Sequence, residues 1–132
     1  MHKSFLKIAT ILGALAVILG AFGAHSLKQV VSDNAVITFE TGVRYQFYHV
    51  FALLITGTLY KDFSNKWMNY AGNLFITGIV LFSGSLYVLT FFAALVKPAL
   101  NWIGIITPIG GLAFILGWIF LFVGIKNGKK TF

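Results

Sequence analysis

Four stretches of this 132-residue chain are apolar enough and long enough to cross a lipid bilayer, and they occupy most of it. They run approximately Phe5–Ala24, Val43–Tyr60, Ala71–Val96 and Trp102–Ile125. A helix needs roughly 20 residues to span ~30 Å of hydrocarbon, and each stretch reaches about that length when frayed ends are allowed for. Backbone N–H and C=O groups find no water there, so spanning segments are helices or a closed barrel. Barrel strands alternate strictly over about ten residues; Leu12-Gly13-Ala14-Leu15-Ala16-Val17-Ile18-Leu19 does not. The expected fold is all-α: a polytopic membrane protein, residues 1–132 forming a single four-transmembrane-helix bundle.

Hydrophobic residues make up 58% of the chain and charged residues 10%, against roughly 25% charged in soluble domains. The connecting segments are too short for a separate soluble module. With no cysteine there is no disulfide, Cys-based metal site or thiol nucleophile. A net charge of +7 suggests nucleic acid in a soluble protein, but no basic–aromatic binding module is present and no nucleic-acid partner is expected. The charge is better explained by topology. Lys3, Lys7, Lys61, Lys66, Lys126, Lys129 and Lys130 flank the N-terminus, second loop and C-terminus. Only Lys28, Arg44 and Lys97 flank the other two loops. The positive-inside rule then predicts cytoplasmic N- and C-termini, with the basic tail touching anionic headgroups. Lys3 and Lys7 before a run ending Ala21-Phe22-Gly23-Ala24 look like a signal peptide. The apolar run of about 20 residues exceeds the usual 7–15, which predicts a retained first helix.

Small residues recur along two of the stretches. Ala9, Gly13, Ala16, Gly20 and Gly23 form a seam in the first, and Gly110, Ala113, Gly117 and Gly124 form one in the fourth. Such seams let helices approach closely in lipid, and their abundance predicts a homo-oligomer. Before the second span, Ser32 is placed to N-cap a helix, with Asp33 and Asn34 in its first turn. An amphipathic helical extension is expected to enter the membrane from there, its stripe being Val36, Phe39, Val43, Phe47, Val50 and Leu54. Tyr60, Trp67, Tyr70 and Trp102 read as interfacial anchors. Lys97-Pro98 breaks the chain, and Pro108 is expected to kink the fourth helix or free a carbonyl.

The polar residues fall on helical faces. Gly42, Tyr45, His49, Ala52 and Thr56 define one seam, and Asn69, Asn73, Ile76, Val80, Ser83, Tyr87, Thr90 and Ala94 another. Polar side chains in lipid are costly unless they find partners. Two readings stand. In one, His25, Tyr45, His49, Ser83, Tyr87 and Thr107 form a polar pocket opening outward. In the other they are interhelical hydrogen bonds that hold the bundle together. Glu40 and Arg44, an i,i+4 pair, are expected to form an interfacial ion pair, facing away from His49. His25 and His49 as haem ligands, or both with Glu40 around a metal, fit this geometry poorly, so neither cofactor nor metal is expected. No G-x-S-x-G, H-E-x-x-H or phosphate-loop pattern occurs, and no enzyme activity is expected.

Four motifs carry a resemblance. They are Gly20-Ala21-Phe22-Gly23-Ala24-His25, Phe39 through His49 (FETGVRYQFYH), Phe82-Ser83-Gly84-Ser85-Leu86-Tyr87 and Thr107-Pro108-Ile109-Gly110-Gly111. In this order they resemble the small bacterial membrane proteins classed as domain of unknown function 423, the YwdK/YgdD-like proteins. Eukaryotic transmembrane protein 256 looks like a distant relative. The resemblance implies a four-span bacterial inner (cytoplasmic) membrane protein and no established activity. His25, Glu40, Arg44, His49, Ser83, Ser85 and Tyr87 match its signature only as motif members. The expected function is non-catalytic: binding of membrane lipid or a small amphipath, or support of the envelope. The alternative is a small transporter or channel component using His49, Ser83 and Tyr87 as its polar path. Against that, the inward half of the third seam offers only Asn73 and Asn69, with Ile76 and Val80 between.

Overall fold

A computed structural model describes residues 1–95 and 102–129, and all regular structure among them is helical. The expected end of the third span at Val96, the break at Lys97-Pro98 and the basic Lys130 lie outside the described residues. The helices are α1 (Lys3–Ala24), α2 (Asp33–Leu59), α3 (Lys66–Gly78), α4 (Gly84–Ala94) and α5 (Ile103–Asn127). A π turn, Ile79–Ser83, joins α3 to α4 without a break. Among the described residues, three segments are long and apolar enough to cross a membrane: Lys3–Gln29, Lys66–Ala94 and Ile103–Asn127. α2 has 27 residues. It is less apolar because Arg44, Gln46 and His49 fall within it.

Local chemistry sets the helix starts. Ser32 caps α2, its Oγ accepting from the Ala35 N–H at 3.3 Å, with Asp33 in the first turn. Asn65 caps α3 by accepting from the Trp67 and Met68 N–H groups at 3.0 and 3.3 Å. Its amide Nδ2 donates to the Phe63 and Gly124 carbonyls, joining the start of α3 to the end of α5. His2 caps α1 through Nδ1, and its backbone N–H donates to the Gly57 carbonyl near the end of α2. The lysine-rich termini and second loop therefore meet at one end of the molecule. α5 continues through Pro108.

The helices pack as a row. α1 lies on α2, α2 on the long α3–π–α4 helix, and that helix on α5. Among the described residues, no extensive seam between α1 and α5 closes this row into a ring. Phe5, Ala9, Val50, Leu53, Ile79 and Phe114 form the central apolar cluster.

The small-residue seams are used up inside the chain. A β-carbon at Gly23 would stand 2.9 Å from the Phe39 ring, and one at Gly13 would stand 3.4 Å from Val50, so α1 presents its seam to α2. Gly110, Gly117 and Gly124 likewise face Phe82, Phe75 and Met68. These seams therefore no longer argue for an oligomer.

The π turn corrects the expected third seam. Val80 and Asn73 are exposed, whereas Met68, Gly72, Phe75 and Ile79 are buried. The 3.6-residue rhythm holds from Ser83 outward through Tyr87 and Thr90. On the other side of the turn the inward face is displaced by one residue, because a π turn inserts one residue into the helix. The expected positions Asn69, Asn73, Ile76 and Val80 each lie next to the residue that takes the place.

A β-carbon at Gly110 would lie 2.3 Å from the Phe82 backbone nitrogen, which cannot yield as a side chain does. Gly110→Ala is expected to destabilise the protein by about 2 kcal/mol in detergent unfolding. Gly104→Ala, where nothing lies within 4 Å, should be close to neutral.

Candidate functional site

Two buried polar side chains of α2, Gln46 and His49, are tied to neighbouring helices, while Thr56 donates to the Ala52 carbonyl of its own helix. Gln46, 3% exposed, donates from Nε2 to the Leu12 carbonyl of α1 at 2.8 Å. Its Oε1 accepts from the Tyr87 hydroxyl of α4 at 2.6 Å. Ser83 Oγ donates to the Gly42 carbonyl at 2.6 Å. His49, 4% exposed, hydrogen-bonds the Tyr45 carbonyl through Nδ1 at 2.7 Å. A carbonyl accepts, so Nδ1 carries the proton. Nε2 in turn accepts from the Trp118 indole of α5 at 3.1 Å. The imidazole also stacks on Phe114, ring centroids 3.5 Å apart. Ser85 and Thr107 hydrogen-bond across α4 and α5. Among the described residues no buried side-chain nitrogen or oxygen lacks a partner.

Beside this network lies a groove of about 820 Å³ between α2 and α5. Tyr45, Tyr48 and His49 line it from α2, and Pro108, Gly111, Leu112, Phe114, Ile115 and Trp118 from α5, with Phe82 of the π turn between them. Its rim faces outward: Tyr48, Leu112, Ile115 and Trp118 are between 47% and 58% exposed. The network has already engaged both ring nitrogens of His49 and the indole N–H of Trp118, so the groove presents mostly carbon.

The six expected pocket residues separate. Tyr45 and His49 line the groove together. Ser83, Tyr87 and Thr107 lie in separate interhelical hydrogen bonds outside it. His25 is exposed where α1 ends. Gly23, beside it, packs on Phe39, about 15 Å up α2 from His49, so the histidines do not meet. Of the expected Glu40–Arg44 pair, Glu40 is half-buried and Arg44 is exposed. At an exposed flank such a pair gains little over solvation. No three His, Cys, Asp or Glu residues converge on a metal-holding site among the described residues.

Sequence reasoning missed Gln46, Phe82, Phe114 and Trp118. Gln46 lies three residues after Val43 and four before Val50, on the apolar stripe itself, where its amide must find a partner. On α5, residues 108, 111, 112, 115 and 118 share one face beside the glycine seam, which marks the groove wall.

Fold and site together define an all-helical, multi-pass membrane protein. Residues 19–111 match the family described as "Protein of unknown function (DUF423)", and the chain belongs to it. It is 45% identical over 122 residues to a UPF0382 membrane protein of Staphylococcus aureus, covering 89% of this chain and 94% of that protein. The UPF0382 membrane protein YwdK of Bacillus subtilis is 42% identical, covering 92% and 94%. A UPF0382 membrane protein of Haemophilus influenzae is 38% identical over 131 residues, covering 98% and 99%. No solved structure matches the chain.

The Tyr87 hydroxyl is the partner of Gln46 Oε1, so removing either side chain's group leaves the other's without that bond. A double-mutant cycle of Gln46→Leu and Tyr87→Phe, read by unfolding in detergent, is expected to give a coupling of about 1 kcal/mol. Strict additivity would show that the bond contributes nothing to stability.

Proposed function

We propose that this is a non-catalytic, four-span protein of the bacterial inner membrane whose α2–α5 groove holds an acyl chain of a lipid or small amphipath. The groove itself carries the reading. It is lined with aromatic and aliphatic carbon, open to the side, and bordered by residues that also face outward on the lipid-facing ridges of α2 and α5. From Pro108 to Trp118, α5 rises about 15 Å, half of a ~30 Å hydrocarbon core and so the depth of one leaflet.

The fourth span, α2, is supported by the same network. Gln46 and His49 lower its hydropathy, but both are buried with partners, so lipid does not meet their polarity. The lysine-rich end lies in the cytoplasm by the positive-inside rule. Binding is favoured over conduction. On the cytoplasmic side of Ser83, the buried face of the long helix is Met68, Gly72, Phe75 and Ile79, with no polar step.

Gly111 lines the groove, and a β-carbon there meets nothing closer than 3.8 Å, so a larger side chain can enter it. Native mass spectrometry of gently solubilised protein is expected to show a retained lipid that Gly111→Phe displaces. Gly104→Phe, on open surface, should leave it in place. Equal retention by both variants, or none by the parent protein, would sink the reading.

A further inference from the structure

Arg44 is the charge that neither the network nor the groove accounts for. It lies on the outward ridge of α2, in line with Ile37, Tyr48, Phe51 and Ile55, which are 48–60% exposed. Residues i and i+4 are neighbours on a helix face, so Arg44 stands one turn above Tyr48, a groove-lining residue. Its depth follows from neighbouring contacts. Thr38 of α2 shares a surface hollow with Leu89, and Val88 shares another with Trp102, the aromatic residue at the outer end of α5. Thr38 and Trp102 therefore lie at similar levels, and Arg44 lies about 9 Å further down α2 than Thr38.

A guanidinium facing lipid at that depth is unfavourable without a partner, and its long side chain is drawn toward the headgroup layer. Arg44 itself is exposed on this ridge, with the half-buried Glu40 one turn nearer the surface. Phosphate matches a guanidinium with two parallel charge-assisted hydrogen bonds. A phosphate held there would lie at the upper end of the groove, with an acyl chain free to descend past Tyr48, Leu112 and Trp118.

Resting on the four-span groove reading, we infer that the ligand is an anionic glycerophospholipid, its phosphate on Arg44 and one acyl chain in the groove. An exposed cation there favours a headgroup with net negative charge over a zwitterionic one. The preference expected for one cation near a membrane surface is about five-fold.

Trp118 reports on the groove when Trp67 and Trp102 are replaced by phenylalanine. In phosphatidylcholine vesicles, acyl-brominated phosphatidylglycerol and acyl-brominated phosphatidylcholine would be added at equal low fractions and Trp118 quenching compared. Phosphatidylglycerol is expected to quench about five-fold more effectively. Arg44→Gln should remove that difference while leaving the common quenching intact, and Arg44→Lys should keep part of it. Equal quenching in the parent protein, or a preference unchanged in Arg44→Gln, overturns the headgroup assignment and leaves the groove reading standing. Gly111→Phe with undiminished quenching by both lipids overturns the groove reading itself. Native mass spectrometry from mixed-lipid nanodiscs provides an independent check: Arg44→Gln should lose bound phosphatidylglycerol selectively.

Discussion

The constraint on which this fold depends is that a polar group buried in hydrocarbon must find its partner inside the protein. Nowhere is that more demanding than in α2, which carries Gln46, His49 and Thr56 among its buried residues. The helix therefore takes a central place. Gln46 reaches α1 and, through Tyr87, α4; the Gly42 carbonyl receives Ser83; His49 reaches Trp118 on α5. Glycine makes this possible as much as the polar groups do. A β-carbon at Gly42 would stand 2.9 Å from the Tyr87 ring, so a larger residue would push apart the helices that these short bonds join.

The same residues explain how much was legible beforehand. Apolar length defined the helices, and the Gly13–Gly23 and Gly110–Gly124 spacings marked true contact faces, because close approach needs small residues at regular intervals. The partner of those faces was not legible. A small-residue seam reads the same whether it meets a helix of its own chain or another copy, and here it meets α2 and α3. The π turn was invisible for a related reason: Ile79-Val80-Leu81-Phe82-Ser83 carries no breaker, and only tertiary packing selects the extra residue. Extending an unbroken rhythm through it misplaced every inward residue from Val80 back to Asn69. Tyr45 and His49 were legible as members of one helix face, and both line the groove. The aromatic wall on α5 was not, since Phe114 and Trp118 look like ordinary lipid-facing residues until the histidine between the helices is located.

The π turn also shapes the groove. It brings the Phe82 backbone against Gly110 and lets the Phe82 ring lie over Gly111. α5 is thereby fastened along one face, through Gly110, Gly117 and Gly124, to the long helix. Its adjacent face meets α2 through side chains, among them His49 with Phe114 and Trp118. Two helices held at side-chain distance, with a third filling in behind, leave a channel between them. The groove is therefore a consequence of where the glycines are, and closing it would require α5 to leave its seam.

That origin bears on what such a groove can do. A conducting path needs polar groups that exchange partners as the solute passes, whereas here the hydrogen bonds are short and mutually engaged. Trp118 donating to Nε2 requires that nitrogen to be unprotonated, while Nδ1 is committed to the Tyr45 carbonyl. His49 thus has no free nitrogen for a proton relay unless α5 moves and the stack on Phe114 opens. Its place at the joint between α2 and α5 makes it a structural hinge pin for the groove wall. The polarity of α2 is spent on holding the helices in place, and what it leaves beside them is a surface of carbon.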